Sequence, residues 1–233
     1  TPDVAIVDPE LAHTMPKKLV AHTGMDAMTH AIEAYVSTAN CDFTDPLALH
    51  AIEMVFTYLE KSYNGDRLAR EKMHNASCIA GMAFTNAFLG LNHSMAHKLG
   101  GEYHIPHGLA NALLLPYVTY YNAQKPTKFA TFPKYETFIA DQKYAKAARM
   151  LGLGGKTTQE SVLNLVHAIQ ELMKKVGLPT SIKDCGVDEQ EFLLKLDALS
   201  DHAHSDQCTM ANPRYPLVSE IKEIYRKAYY GEE

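Results

Sequence analysis

The sequence predicts an all-α protein with a short strand at its start. Three observations carry that reading. Apolar residues recur at helical spacing through most of the 233 residues, helix-starting and helix-stopping residues punctuate them, and VAIVDP over residues 4–9 has the apolar, β-branched character of a strand. Hydrophobic residues make up 46% of the chain and charged residues 21%, an ordinary globular balance that favours one compact unit.

Taken in order, Pro16 after Thr14 opens a short helix, and Gly24 precedes a second that runs to about Ser37. Thr44 and Asp45 ahead of Pro46 start a third, reaching about Tyr63, and a fourth runs from Asp66 to the region of Phe88. Gly90 and Asn92 punctuate the chain before a short helix that carries His93 and His97 toward Gly100 and Gly101. The next begins near His107 and holds ANALLLPYVTYY, in which Pro116 is expected to kink or end it. Residues 125–144, KPTKFATFPKYETFIADQKY, are rich in aromatics and prolines and read as a long surface excursion. Val162, Leu165, Val166, Ile169, Leu172, Met173 and Val176 then form the most regular helical stripe, a core face stopped by Gly177 and Pro179. A helix from about Asp188 to Ser200, the polar loop HAHSDQCTMANPRYP and an amphipathic helix from Pro216 to Tyr230 complete the order. Because the chain opens at Thr1 inside a strand-like run, it reads as part of a longer polypeptide.

Charge and cysteine usage exclude several function classes. The formal charge of −5 comes from 22 basic and 27 acidic residues without long blocks, so there is no electrostatic footprint for nucleic acid or for an anionic membrane surface. No Asp, Glu, Lys or Arg occurs between Lys72 and Lys98, yet that stretch carries His74, Asn75, Ser77, Asn86, Asn92, His93 and His97. So many polar groups are too costly in lipid, and the stretch reads as a buried helix feeding a polar site. Cys41, Cys78, Cys185 and Cys208 are far apart and form no C-x-x-C pair. They read as reduced thiols acting as small buried hydrophobes in a cytoplasmic protein.

Two segments carry most of the chemistry. GMDAMTHAIEAY contains Asp26 and His30; LGLNHSMAHKLGGEYHIPHG contains His93, His97 and His107. Four residues advance an α-helix by about 400°, so Asp26 and His30 face one way, as do His93 and His97, and each pair can grip one ion. One carboxylate with several imidazoles and no thiolate suits a catalytic Fe(II) or Zn rather than a structural zinc site. Spacing alone pairs His93 with His97 ahead of His107. It also leaves Asp26 open to a simpler role as a helix N-cap after Gly24. Glu33, seven residues after Asp26, shares its face and reads as a carboxylate behind the ligands or in solvent rather than as a further ligand. His13, His22, His50, His74, His104, His167, His202 and His204 read as solvated or core histidines, although His202 and His204 sit at a spacing that can take up metal adventitiously in a loop.

Both segments resemble the two signature regions of the iron-dependent (group III) alcohol dehydrogenases, and the resemblance runs across essentially the whole chain. FPKYETFIADQKYAKAARMLGL and DQCTMANPRYPLVSEIKEIYRKAYYG are more similar still to the alcohol dehydrogenase half of the bifunctional aldehyde-alcohol dehydrogenases. The resemblance implies the helical C-terminal domain of the iron-dependent alcohol dehydrogenase and dehydroquinate synthase-like type. It implies metal ligation by Asp26, His30, His93 and His107, with His97 beside the reacting carbon as a proton relay or substrate-positioning residue. It implies NADH-dependent reduction of acetaldehyde to ethanol. NAD is then held mainly by an N-terminal nucleotide-binding domain of the same polypeptide, with residues 1–15 as its strand and turn, Leu11 as a cofactor contact, and residues 16–233 as the metal-binding domain. Gly152, Gly154 and Gly155 follow a helix and lack the third glycine of a phosphate loop, so they offer no substitute for that domain.

In such a site, one carboxylate and three neutral imidazoles around a divalent ion leave a net charge of about +1, suited to polarising an aldehyde oxygen. The hydride must come from a reduced nicotinamide. Three other readings share these residues: a zinc-dependent polyol dehydrogenase relative, a helical metal-dependent hydrolase, and an assembly module of a protein that forms homo-oligomers or filaments.

Overall fold

The computed structural model describes residues 3–126 and 138–232. They form nine α-helices joined by short turns and three 3-10 segments. The helices are α1 (Lys17–Val36), α2 (Thr44–Tyr63), α3 (Arg67–Ala87), α4 (Leu91–Tyr103), α5 (His107–Ala123), α6 (Ala140–Met150), α7 (Thr158–Lys175), α8 (Glu189–His204) and α9 (Val218–Tyr230). The helical fold expected from the sequence is therefore present, without its opening strand. Residues 4–8 form no ladder, and Val4 and Ile6 are exposed at 79% and 91%. A strand needs a neighbour to pair with, and no other strand exists among the described residues.

Four further boundaries differ from expectation, each for a physical reason. α1 is one helix through Gly24, because the glycine is a packing contact and not a break: a Cβ there would lie 2.2 Å from Leu59 Cδ1 on α2. α5 runs on through Pro116 to Ala123; fourteen of its seventeen residues are buried, and that packing outweighs the lost hydrogen bond. The end of the supposed excursion, from Ala140, is the first turn of α6; residues 127–137 of that tract lie outside the described residues. α8 extends to His204, so His202 and His204 stand on a helix about 200° apart, not on one loop.

The core is continuous across α1 to α9. α1 occupies its middle, buried on nearly all sides between α2, α3 and α5. The expected stripe of α7 is core from Val162 to Met173. The cysteines depart from expectation: Cys41 is exposed and Cys78, Cys185 and Cys208 are half-buried.

Two cationic side chains tie separate elements together. Arg70 of α3 donates to Ala12 O at 2.8 Å, to Ser62 O at 2.9 Å and to Ser62 Oγ at 2.9 Å, pinning the opening 3-10 turn (Pro9–Ala12) to the end of α2. Lys143 of α6 donates to Tyr35 O at 2.7 Å, Asn40 Oδ1 at 2.6 Å and Asp45 Oδ1 at 2.9 Å, closing the α1–α2 corner. Its side chain is 11% exposed, so truncation strands three acceptors around a void. Lys143→Ala is expected to cost roughly 2–3 kcal/mol in urea unfolding, whereas breaking the exposed Lys174–Glu171 pair should change stability by less than about 0.5 kcal/mol.

Candidate metal centre

The site lies where α1, α4 and α5 meet. Asp26, His30 and Glu33 stand on successive turns of one face of α1, His93 is in the first turn of α4, and His107 is the first residue of α5. The close approach of α5 to α1 requires glycine after His107. A Cβ on Gly108 would lie 2.2 Å from the His22 carbonyl oxygen and 3.3 Å from Asp26 Cβ.

Glu33 organises the start of α4. It is 3% exposed, and its Oε1 accepts from the Asn92 N–H at 2.6 Å and the His93 N–H at 3.4 Å. The first N–H groups of a helix lack partners within the helix and carry its positive end, so a buried carboxylate is well matched there. The other oxygen, Oε2, lies 2.5 Å from His93 Nδ1. An ionised carboxylate only accepts, so Nδ1 carries the proton and Nε2 is left with its lone pair facing inward.

That lone pair joins others. Asp26, His93 and His107 each present one ligating atom, and the three atoms lie within 4.8 Å of one another. Asp26 Oδ1 is 3.8 Å from His93 Nε2 and 3.5 Å from His107 Nε2. The Asn111 amide nitrogen sits against all three, 2.7 Å from Asp26 Oδ1 and 3.1 Å from each imidazole nitrogen. Its two hydrogens therefore face three acceptors. Asn92 Nδ2 in turn donates to Asn111 Oδ1 at 2.9 Å and fixes that amide.

His30 stands alongside. Its ring stacks between Phe84 at 4.4 Å and His93 at 4.6 Å, and its Nδ1 is 3.9 Å from Asp26 Oδ2. Burial first, and the neighbouring His93 second, push His30 down to about 4 against the pull of Asp26 and Glu33. Burial likewise lowers His107. Both are neutral at pH 7, the form that offers a lone pair to a metal. One carboxylate and clustered imidazoles, without sulfur, make a donor set that fits a borderline divalent ion such as Fe(II) or Zn.

His97 faces a different partner. Its side chain is 36% exposed, its ring stacks on His107 at 5.5 Å, and its Nδ1 lies 3.2 Å from Asp206 Oδ2. Burial on its own would raise Asp206, but Lys98, the Cys208 N–H and His97 outweigh it and hold the carboxyl at about 2. Leu11 is 79% exposed on the opening 3-10 turn. His202 and His204 belong to no cluster of ligating atoms among the described residues.

Of the residues singled out in the sequence, the structure brings Asp26, His93 and His107 to one point, sets His30 beside them and Glu33 behind His93, and leaves His97 on a different partner. Sequence reasoning missed Asn111 and Asp206. Asn111 was accessible in principle, lying one helical turn after His107; Asp206 reaches His97 from 109 positions away, and nothing local signals it.

Residues 20–229 match the family model for the C-terminal domain of Fe-containing alcohol dehydrogenases. The chain is 52% identical over 233 residues to an NADPH-dependent butanol dehydrogenase of Clostridium saccharobutylicum, covering all of this chain and 56% of that protein. It is 53% identical over 232 residues to an aldehyde-alcohol dehydrogenase of Streptococcus pneumoniae, covering 99% of this chain and 26% of that one. A solved iron-containing alcohol dehydrogenase from Thermococcus thioreducens superposes with a TM-score of 0.88 at 39% identity, covering 100% of this chain and 56% of its own. The chain therefore spans about half the length of one curated relative and about a quarter of the other.

The α1–α5 approach gives a stability test. Gly108→Ala drives a methyl group into backbone and should cost at least about 1–3 kcal/mol. Gly101→Ala, on α4 with open space around it, should be neutral or stabilise by up to about 1 kcal/mol; both are read from urea midpoints.

Proposed function

The chain belongs to the Fe-containing alcohol dehydrogenase family, and from that premise we propose that it carries the metal centre for NADH-dependent reduction of acetaldehyde to ethanol. Asp26, His30, His93 and His107 would hold the ion, Fe(II) by our reading, with Zn as its competitor for the same donors. The observation that carries this is the convergence of Asp26, His93 and His107 within 4.8 Å, with a proton-locked His93 and a neutral His30 stacked against it. When bound, the cation supplies positive charge opposite the aldehyde oxygen and the reduced nicotinamide supplies the hydride.

The chain's own residues do the rest. Glu33 fixes the tautomer and direction of His93. Asn111 donates to Asp26 Oδ1, which keeps a second lone pair for an ion. The buried lengths of α1 and α5 back the site with apolar surface, while His107, 45% exposed, stands at its open side. Reduction consumes one proton as well as the hydride, and His97 is placed to deliver it: Asp206 accepts at Nδ1, which leaves Nε2 for the substrate side, and the ring is open enough to exchange protons with solvent. We assign most of the nicotinamide contacts to an N-terminal nucleotide-binding domain of the same cytoplasmic polypeptide, with Leu11 on the exposed opening turn as a contact to it. Homo-oligomers or filaments of that polypeptide are part of the same reading.

The 53% identity to an aldehyde-alcohol dehydrogenase across nearly the whole chain supports an aldehyde substrate, and acetaldehyde is the choice that the sequence resemblance implies. The 52% identity to an NADPH-dependent butanol dehydrogenase supports a second reading, a four-carbon aldehyde with NADPH. Steady-state assays of the full-length protein with acetaldehyde, butyraldehyde, glycerol and p-nitrophenyl phosphate separate these. Highest kcat/KM for acetaldehyde with NADH is expected. Preference for butyraldehyde with NADPH would replace that choice, and phosphate release would reject the dehydrogenase assignment.

Metal content of anaerobically purified variants tests the ligand set. His93→Ala and His107→Ala should lose the ion, and Glu33→Gln should weaken it by about 10–100-fold. His97→Ala should keep full occupancy and mainly lower kcat. Full occupancy in His107→Ala would refute the assignment of that ligand.

A further inference from the structure

Beside the cage built from α1, α4 and α5, a second set of ligating atoms converges. His97, Asp206 and Cys208 each offer one atom, and the three lie within 4.8 Å of one another. Two elements supply them. His97 comes from α4, and Asp206 is the N-cap of the 3-10 segment Gln207–Ala211, where its Oδ1 accepts from the Cys208 N–H at 3.0 Å. That bond fixes Asp206 and Cys208 relative to each other and leaves Oδ2 directed at His97 Nδ1, 3.2 Å away, and at Lys98 Nζ, 2.8 Å away.

The donors differ in kind from those of the first cage, which has no sulfur. An imidazole, a carboxylate and a thiol together select a thiophilic divalent ion over a hard one. We infer that His97, Asp206 and Cys208 form a second cation site, taking Zn(II) or Cd(II), at the rim of the first.

Two features make this site the weaker of the pair. Lys98 already supplies positive charge to Asp206 and must share or yield it; its side chain is 28% exposed, so it can turn to solvent. The Cys208 proton must also leave, and burial, reinforced by Asp206, pushes that thiol up to about 12. Occupancy engages His97 through Nδ1. Given the proton-relay role proposed for His97, on which this consequence alone rests, a bound ion holds the ring in place and excess zinc inhibits turnover.

Cobalt discriminates the two sites, because thiolate-to-cobalt charge transfer in the near ultraviolet arises only where sulfur is a ligand. Titrating the full-length protein anaerobically with Co(II) should give one equivalent without that band, then a second, weaker equivalent with it. Cys208→Ser and Asp206→Asn should each abolish the band and the second equivalent and retain the first. Saturation at one equivalent, a second equivalent without the band, or a band that survives Cys208→Ser would overturn the second site. Absence of a sulfur-free equivalent that His93→Ala removes would instead count against the primary centre, so the two failures are distinguishable.

Discussion

The buried Glu33 carboxylate is the interaction on which the rest of the site depends. One oxygen satisfies the leading N–H groups of α4, the other takes the Nδ1 proton of His93, and the carboxylate itself belongs to α1. A single side chain thereby joins two helices and chooses which imidazole nitrogen faces inward. A buried carboxylate costs several kcal/mol unless it is paired and hydrogen-bonded; three donors, two of them at a helix's positive end, offset that cost here. The same bonds that make Glu33 tolerable in the core fix the direction of the His93 ring.

Around this point the fold is arranged to bring side chains close without charge. α1 is buried nearly throughout its length, α5 approaches it at Gly108, and the uncharged stretch between Lys72 and Lys98 supplies α3 from Met73 onward and the start of α4. In surroundings so short of ionic groups, a cation held by one carboxylate keeps most of its field for whatever lies in front of it. Asn111 and Asn92 extend the arrangement by hydrogen bonding, linking Asp26 on α1 to the first turn of α4.

Much of this was legible in the sequence, and the failures have common causes. Periodicity located the helices because most of them bury one face, as the stripe from Val162 to Met173 does. It misread Gly24 as a boundary, and of the two outcomes expected at Pro116 an end to the helix does not occur, since tertiary packing around α1 and α5 overrides local propensity. VAIVDP carries strand character but has no strand to pair with among the described residues. Helical spacing gave the Asp26–His30 pair directly. It could not choose between His97 and His107, because that choice depends on how α5 meets α1, a long-range contact; the family resemblance supplied it. Asp206 and Cys208, more than a hundred residues from His97, had no local signal at all.

The central claim is that Asp26, His30, His93 and His107 share one cation. Anomalous diffraction at the iron absorption edge from Fe(II)-loaded crystals of the full-length protein tests it most directly. The account predicts one dominant peak in ligating contact with one oxygen of Asp26 and one nitrogen of each histidine. A peak that leaves out His30 or His107, or one centred away from the α1–α4–α5 junction, would contradict it.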